Sequence, residues 1–233
     1  MIKIIWQQVL EILFPSICLH CRGYLQSREE RENLLCASCF GNIKIYSNFF
    51  RPDPGINLIA VGSYENSALR ELIHSLKYNG FLGAQIPLEK LIVRWLETNP
   101  ILASSFLGSS ASRRICLVPI PLHKNRLRKR GFNQAELIAQ ILSQLFQLPL
   151  EAGLLERTRD TKPQIGMKSA KEREENMKNS ISIREGRGSP LSQHQNIILV
   201  DDVYTSGSTM KEAMRALRHS GTRNITAFVI AKT

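Results

Sequence analysis

The sequence contains no glycine-rich loop ending Gly-Lys-Ser/Thr, which excludes a Walker-type nucleotide site; Gly166-Met167-Lys168-Ser169 comes nearest and has the wrong spacing. No apolar run reaches the length of a membrane span. In Met1 to Phe14 the apolar residues Ile2, Ile5, Trp6, Val9, Leu10 and Leu13 are interrupted by Gln7, Gln8 and Glu11. A secretory signal needs an unbroken apolar centre and a small-residue cleavage site, so the chain reads as cytoplasmic; the stripe reads as a core-docking helix, with a membrane anchor as the alternative, disfavoured because only Lys3 could pair with lipid phosphates. Acids are scarce: 20 Asp and Glu stand against 31 Lys and Arg, a net charge of +11. That balance favours anionic partners without choosing among nucleotides, pyrophosphate and nucleic acid. With 43% hydrophobic content over 233 residues the chain is neither disordered nor fibrous, and it has room for one full domain plus a small module.

What is present is organised around Asn196 to Met210. Ile197-Ile198-Leu199-Val200 is too continuously apolar for a half-exposed strand and predicts one buried on both faces of a parallel sheet. Asp201 and Asp202 are expected to end it. Thr205-Ser206-Gly207-Ser208-Thr209 follows, and then a helix from Lys211 to Arg218 with Met210, Met214 and Leu217 on one side. A loop from a strand's carboxyl end to a helix's amino end collects unpaired backbone N–H groups at the positive end of a helix dipole and forms an anion seat. The hydroxyls add donors, and Gly207 admits close approach of a ligand. Asp201 and Asp202 would repel a phosphate, so sugar hydroxyls or a metal are their natural partners.

Cys18-Leu19-His20-Cys21 and Cys36-Ala37-Ser38-Cys39 are two CxxC pairs at zinc-ribbon separation, predicting a closed, structural S₄ site for Zn²⁺. Two disulfides are the alternative, disfavoured by a reducing cytosol and by the close spacing within each pair. Without zinc, Ile17 to Phe40 is expected to be disordered, because so short a segment seldom folds unaided. Arg51-Pro52-Asp53-Pro54-Gly55 is turn-rich and sets the expected boundary between a module at 1–54 and a domain at 55–233.

Beyond it, Leu58 to Gly62 reads as a strand. Ser67 to Lys77 reads as a helix with Ala68, Leu69, Leu72, Ile73 and Leu76 on one face, ended by Gly80, and a second helix is expected over Ile86 to Leu96. Lys77 complements the dipole at the first helix's end. Asn99 to Arg114 reads as a loop or insertion. Arg114 to Pro121 is another buried strand, and Leu122 to Asn133 a basic loop carrying His123, Lys124, Arg126, Arg128, Lys129 and Arg130, with no acid until Glu136. A helix is expected from Asn133 to Leu145. Glu156 to Arg187 is dense in charge, Gly186 to Gln195 reads as a linker, Gly221 caps the helix after the organising strand, and Ile225 to Ala231 supplies a further strand. Alternating strands and helices predict an α/β doubly wound sheet.

Ile198 to Thr209 resembles the 5-phosphoribosyl 1-diphosphate (PRPP) motif of type I phosphoribosyltransferases, apart from Ser206 where threonine is usual. The resemblance implies that Asp201 and Asp202, at the catalytic centre, contact the ribose 3′ and 2′ hydroxyls. It also implies that Thr205, Ser206, Gly207, Ser208 and Thr209 wrap the 5′-phosphate and that Mg²⁺ accompanies PRPP. Val118 to Pro121 with Arg130-Gly131-Phe132-Asn133-Gln134-Ala135, together with the four cysteines, Leu76-Lys77-Tyr78, Gln164 and Asn176, is similar to the competence protein F (ComF) family. Its members join a zinc module to a phosphoribosyltransferase domain. By that resemblance Arg126, Arg128, Arg130 and Lys77 face pyrophosphate or nucleic acid, and Glu156 to Arg187 matches the hood loop that closes over the reaction. A solvated surface segment is the alternative there. Glutamine-dependent amidotransferases share the domain but need a processed N-terminal cysteine, and this chain begins Met1-Ile2. Two functional expectations follow: a transferase using PRPP, or an accessory protein of DNA uptake that binds single-stranded DNA on the same scaffold.

Overall fold

The computed structural model describes residues 15–78, 81–101, 115–160, 177–184 and 196–233. Several expectations fall outside them: the helix over Met1 to Phe14, Gly80 as a helix stop, most of the loop from Asn99 to Arg114, Gln164 and Asn176 with the middle of the charged segment, and the linker before Asn196.

The element order is α1 (Arg28–Asn33), α2 (Ala37–Gly41), β1 (Phe49–Phe50), β2 (Asn57–Ser63), α3 (Ser67–Tyr78), α4 (Phe81–Thr98), β3 (Ile115–Pro119), α5 (Lys124–Arg130), α6 (Gln134–Phe146), β4 (Leu155–Arg157), β5 (Ile181–Ile183), β6 (Asn196–Tyr204), α7 (Ser208–His219) and β7 (Asn224–Lys232). Five strands form one sheet in the order β1-β2-β7-β6-β3. β2, β7, β6 and β3 run parallel, and β1 closes one edge antiparallel. A separate antiparallel pair, β4 and β5, joins Leu155 to Ile183 and Arg157 to Ile181 across the charged segment.

Both faces of the sheet are covered, which is why its strands read as unbroken apolar runs. Successive residues of β6 alternate between two cores: Ile198 and Val200 pack with Leu69, Leu72, Leu91, Trp95, Ile138 and Phe228, while Ile197 and Leu199 pack with Val118, Met210, Met214 and Leu217. Helices α3, α4 and α6 therefore lie on one face and α7 on the other. Leu25, Leu35 and Ile43 join the first core, so the cysteine-bearing segment has no separate interior of its own.

Three local expectations need correction. The acids do not end their strand: β6 runs on through Asp201, Asp202 and Val203 to Tyr204, because Asp201 pairs with Val229, Val203 with Ala231 and Tyr204 with Lys232 of β7. The basic stretch is not a loop but the helix α5. Its charges repel at helical spacing, but His123 caps the amino end by accepting from the Asn125 N–H, and Gly131, at φ +83°, closes the other end with its N–H on the Leu127 carbonyl. Helix α4 starts at Phe81, earlier than Ile86, and holds Pro87 inside. Proline forfeits one backbone hydrogen bond there, and complete or nearly complete burial of Leu88, Leu91, Ile92 and Trp95 outweighs that loss. Among the described residues no helix is long and apolar enough to cross a membrane.

Candidate functional site

A cleft of about 260 Å³ opens at the carboxyl ends of the neighbouring strands β3 and β6. The helix α6, which comes after β3 and the short α5, and the helix α7, which follows β6, pack on opposite faces of the sheet, and open α/β sheets bind ligands where such connections diverge. Its lining comes from separate segments: Lys77 of α3, Leu122, Arg126 and Arg130 around α5, Asn133 and Gln134 at the start of α6, Arg157 of β4, and Asp201, Asp202, Thr205 and Thr209.

Each side chain is placed by local structure. Asn133 caps α6, accepting from the Ala135 N–H at 3.2 Å, and its Nδ2 donates to the Ile120 carbonyl at 2.9 Å, tying the helix to the end of β3. Arg130 Nη1 donates to Gln134 Oε1 at 3.2 Å. The Gln134 Nε2 has no partner among the described residues although the side chain is buried, leaving an unsatisfied donor in the wall of the cleft. Arg157 is held by β4, its Nη2 at 3.1 Å from Met177 Sδ; burial and then the Arg126 charge lower its pKa.

The acids are asymmetric. Asp202 Oδ2 lies 3.1 Å from Lys77 Nζ. Asp201 Oδ1 accepts the Asp202 N–H at 2.8 Å, yet burial first and the Asp202 charge second push the Asp201 carboxyl up to about 8. Since the folded carboxyl holds its proton more tightly than the unfolded one, protonation favours the folded state. That contribution is complete below about pH 4 and disappears as pH rises toward 8. Asp201→Asn is therefore expected to raise stability by roughly 2 kcal/mol at pH 8 and to leave it unchanged at pH 4. Thermal melts at the two pH values check this, and equal melting temperatures at pH 8 would count against a strained Asp201 charge.

Of the residues singled out by sequence, Asp201, Asp202, Thr205, Thr209, Arg126, Arg130 and Lys77 converge on the cleft, while Gly207 and Ser208 line an adjoining recess of about 20 Å³. Ser206 Oγ lies 3.0 Å from Ser208 Oγ. Arg128 does not line the cleft; like Lys124 and Lys129 it is exposed on the outer side of α5. Lys77 sits against the acid pair rather than only completing a helix dipole. Two wall residues carried no distinguishing signal: Arg157 was one of many charges in its segment, and Gln134 was visible only as part of a motif.

The second cluster is sulfur. Cys18, Cys21, Cys36 and Cys39 are free thiols whose Sγ atoms all lie within 4.8 Å of one another. Cys21 and Cys36 Sγ stand 3.8 Å apart. A tetrahedron with Zn–S bonds of about 2.3 Å has edges of about 3.8 Å, the separation of the Cys21 and Cys36 sulfurs, so the cluster could hold a four-thiolate metal, and these two sulfurs are too far apart to be bonded. Burial alone would raise the Cys18 thiol, but backbone donors, led by the Cys36 N–H on its Sγ at 3.4 Å, lower it to about 7.

Comparison with known proteins gives a consistent picture. Residues 129–233 match a family described as Phosphoribosyl transferase domain. Competence protein F of Haemophilus influenzae is 27% identical over 94% of this chain and 98% of its own length. The DNA utilization protein YhgH of Escherichia coli is 30% identical over 94% of this chain and 98% of its own length. Competence protein ComFC of Bacillus subtilis is 32% identical over 56% of this chain and 50% of its own length.

Proposed function

The chain belongs to the ComF family, and from that premise we propose that it binds PRPP or a closely related ribose phosphate with Mg²⁺ and serves the uptake or use of DNA. One observation carries the reading: the cleft gathers an acid pair, a hydroxyl-bearing loop and the three arginines Arg126, Arg130 and Arg157, brought from separate segments. A sugar diol suits the acids, a terminal phosphate suits the amino end of α7, and a second anionic group suits the arginines.

In the transferase form, a nitrogen nucleophile forms a bond to the anomeric carbon as the bond from that carbon to the pyrophosphate oxygen breaks. Positive charge on the sugar ring then lies near the acids, and negative charge on the departing oxygens near Arg126, Arg130 and Arg157. Bound Mg²⁺ would add charge neutralisation on the leaving group. Lys77 and Asp202 neutralise one another before a ligand enters, so Asp202 is preset without repelling phosphate.

A thermal-shift and calorimetric titration with PRPP and Mg²⁺ tests the reading. Binding to the parent is expected, with Asp202→Ala costing about 1.5–3 kcal/mol if it loses a charged hydrogen bond to the diol. Undiminished affinity would remove Asp202 from the site.

The outer side of α5 favours a second contact. Lys124, Arg128 and Lys129 are exposed and turned away from the cleft, a basic strip suited to single-stranded DNA. Affinity for a single-stranded oligonucleotide should fall with salt at about −0.7 per phosphate contact. Joint replacement of Arg128 and Lys129 by alanine is expected to flatten the log-log slope by about 1.4. A slope identical to that of the parent would discard the strip as a DNA contact.

A further inference from the structure

The turn at Arg51 to Gly55 is remote in sequence from the phosphate loop but fastened at three points to the strand and the helix that flank it. Asp53 Oδ2 accepts the Tyr204 hydroxyl at 3.0 Å, Asp53 Oδ1 lies 3.0 Å from Lys211 Nζ, and Arg218 Nη2 donates to the Gly55 carbonyl at 2.8 Å. Tyr204 ends β6 and is 4% exposed. Its ring fills the space beside Gly207: a Cβ built there would meet the Tyr204 hydroxyl and stand 2.6 Å from its Cζ. Gly207 in turn has φ +72°, and its carbonyl accepts the Lys211 N–H at 2.8 Å at the start of α7. The ring therefore determines where the Gly207 peptide stands, and that peptide sets the amino end of α7.

We propose that Asp53 is a positioning residue for phosphate recognition: through the Tyr204 hydroxyl it holds the ring against Gly207 and presets the loop for a 5′-phosphate. The inference rests on the reading of the cleft as a sugar-phosphate site. A carboxylate suits the task because a desolvated phenol needs an acceptor, and a charged acceptor orients it more firmly than a neutral one. Lys211 keeps that carboxylate paired; with Asp53 about one-third exposed, the ion pair itself contributes little. Tyr204 orientation is thus the route by which Asp53 acts.

Calorimetry with ribose 5-phosphate, beside inorganic pyrophosphate as a second probe of the same cleft, tests this. Asp53→Ala is expected to weaken ribose 5-phosphate about tenfold and pyrophosphate less than about twofold. Asp53→Asn, which keeps an acceptor for the phenol, should stay within about threefold of the parent. Tyr204→Phe should weaken ribose 5-phosphate by a factor close to that of Asp53→Ala, and the double variant should be no weaker than the stronger single one, since both break one contact. Equal weakening of both probes, or affinities like the parent's, would overturn the assignment. Should Asp53→Ala not fold, Tyr204→Phe decides by the same ratio. A parent that does not bind ribose 5-phosphate would overturn the sugar-phosphate reading itself, and this assignment with it, a result distinct from loss in the variants alone.

Discussion

Treating the protein with a strong zinc chelator is expected to unfold residues 17–43 and to lower the melting temperature by roughly 10 °C or more. The size of the effect follows from where the metal site sits. Four cysteines whose Sγ atoms all lie within 4.8 Å of one another, one pair at 3.8 Å, bring together two knuckles whose Leu25, Leu35 and Ile43 enter the same core as Leu69, Leu72 and Trp95. A structural zinc in a finger peptide supplies on the order of 10 kcal/mol, comparable to the whole stability of a domain. Metal removal is therefore expected to expose one side of α3 and α4 as well as the knuckles. Hydrogen exchange should show amides of Leu72 to Leu76 exchanging faster after chelation, and Cys39→Ser should reproduce the change without chelator. Elemental analysis is expected to find one zinc per chain. Unaltered exchange and melting after complete metal removal would show that packing alone holds the knuckles.

Gly207→Ala is expected to cost about 3–6 kcal/mol, shifting the melting temperature by on the order of 10 °C, and to abolish PRPP binding. Three penalties combine. The φ of +72° carries a strain of about 1–2 kcal/mol for any residue with a Cβ. The new methyl also meets the buried Tyr204 ring, and overpacking of that kind costs about 1–3 kcal/mol. Displacing the ring breaks its hydrogen bond to Asp53, adding about 1 kcal/mol. Tyr204→Ala in the same chain should recover part of the stability by vacating the space, but not the PRPP affinity. Wild-type melting and binding by Gly207→Ala would show that the loop tolerates another conformation.

The elements that were legible from sequence are those whose signal is local. Ile197 to Val200 announced a strand covered on both sides, and Ala68, Leu69, Leu72, Ile73 and Leu76 announced a helix face; all are buried. The hydroxyl loop was legible because a strand, a glycine and a helix start are consecutive. Where inference failed, distant partners decided. Asp201 and Asp202 remain in a strand because β7 pairs beside them, and polar residues at a strand end carry no record of that pairing. Lys124 to Arg130 has no apolar stripe, so its helix rests on end caps that periodicity does not weigh. Lys77 meets Asp202, and Asp53 meets Tyr204, across 125 and 151 positions of chain; only the folded topology brings such pairs together.

The order of strands in the sheet has a consequence for synthesis. β2 and β6 are not paired; β7 lies between them, so the left and right halves of the sheet are joined by a strand made after every other described strand of that sheet. On the ribosome, the emerging chain must keep the apolar edge of β2 apart from strangers for some 160 residues of elongation, and that of β6 for some 20, until Asn224 to Lys232 arrives. Nascent chains interrupted before that point hold unpaired hydrophobic strands, the kind of surface that chaperones retain and proteases clear.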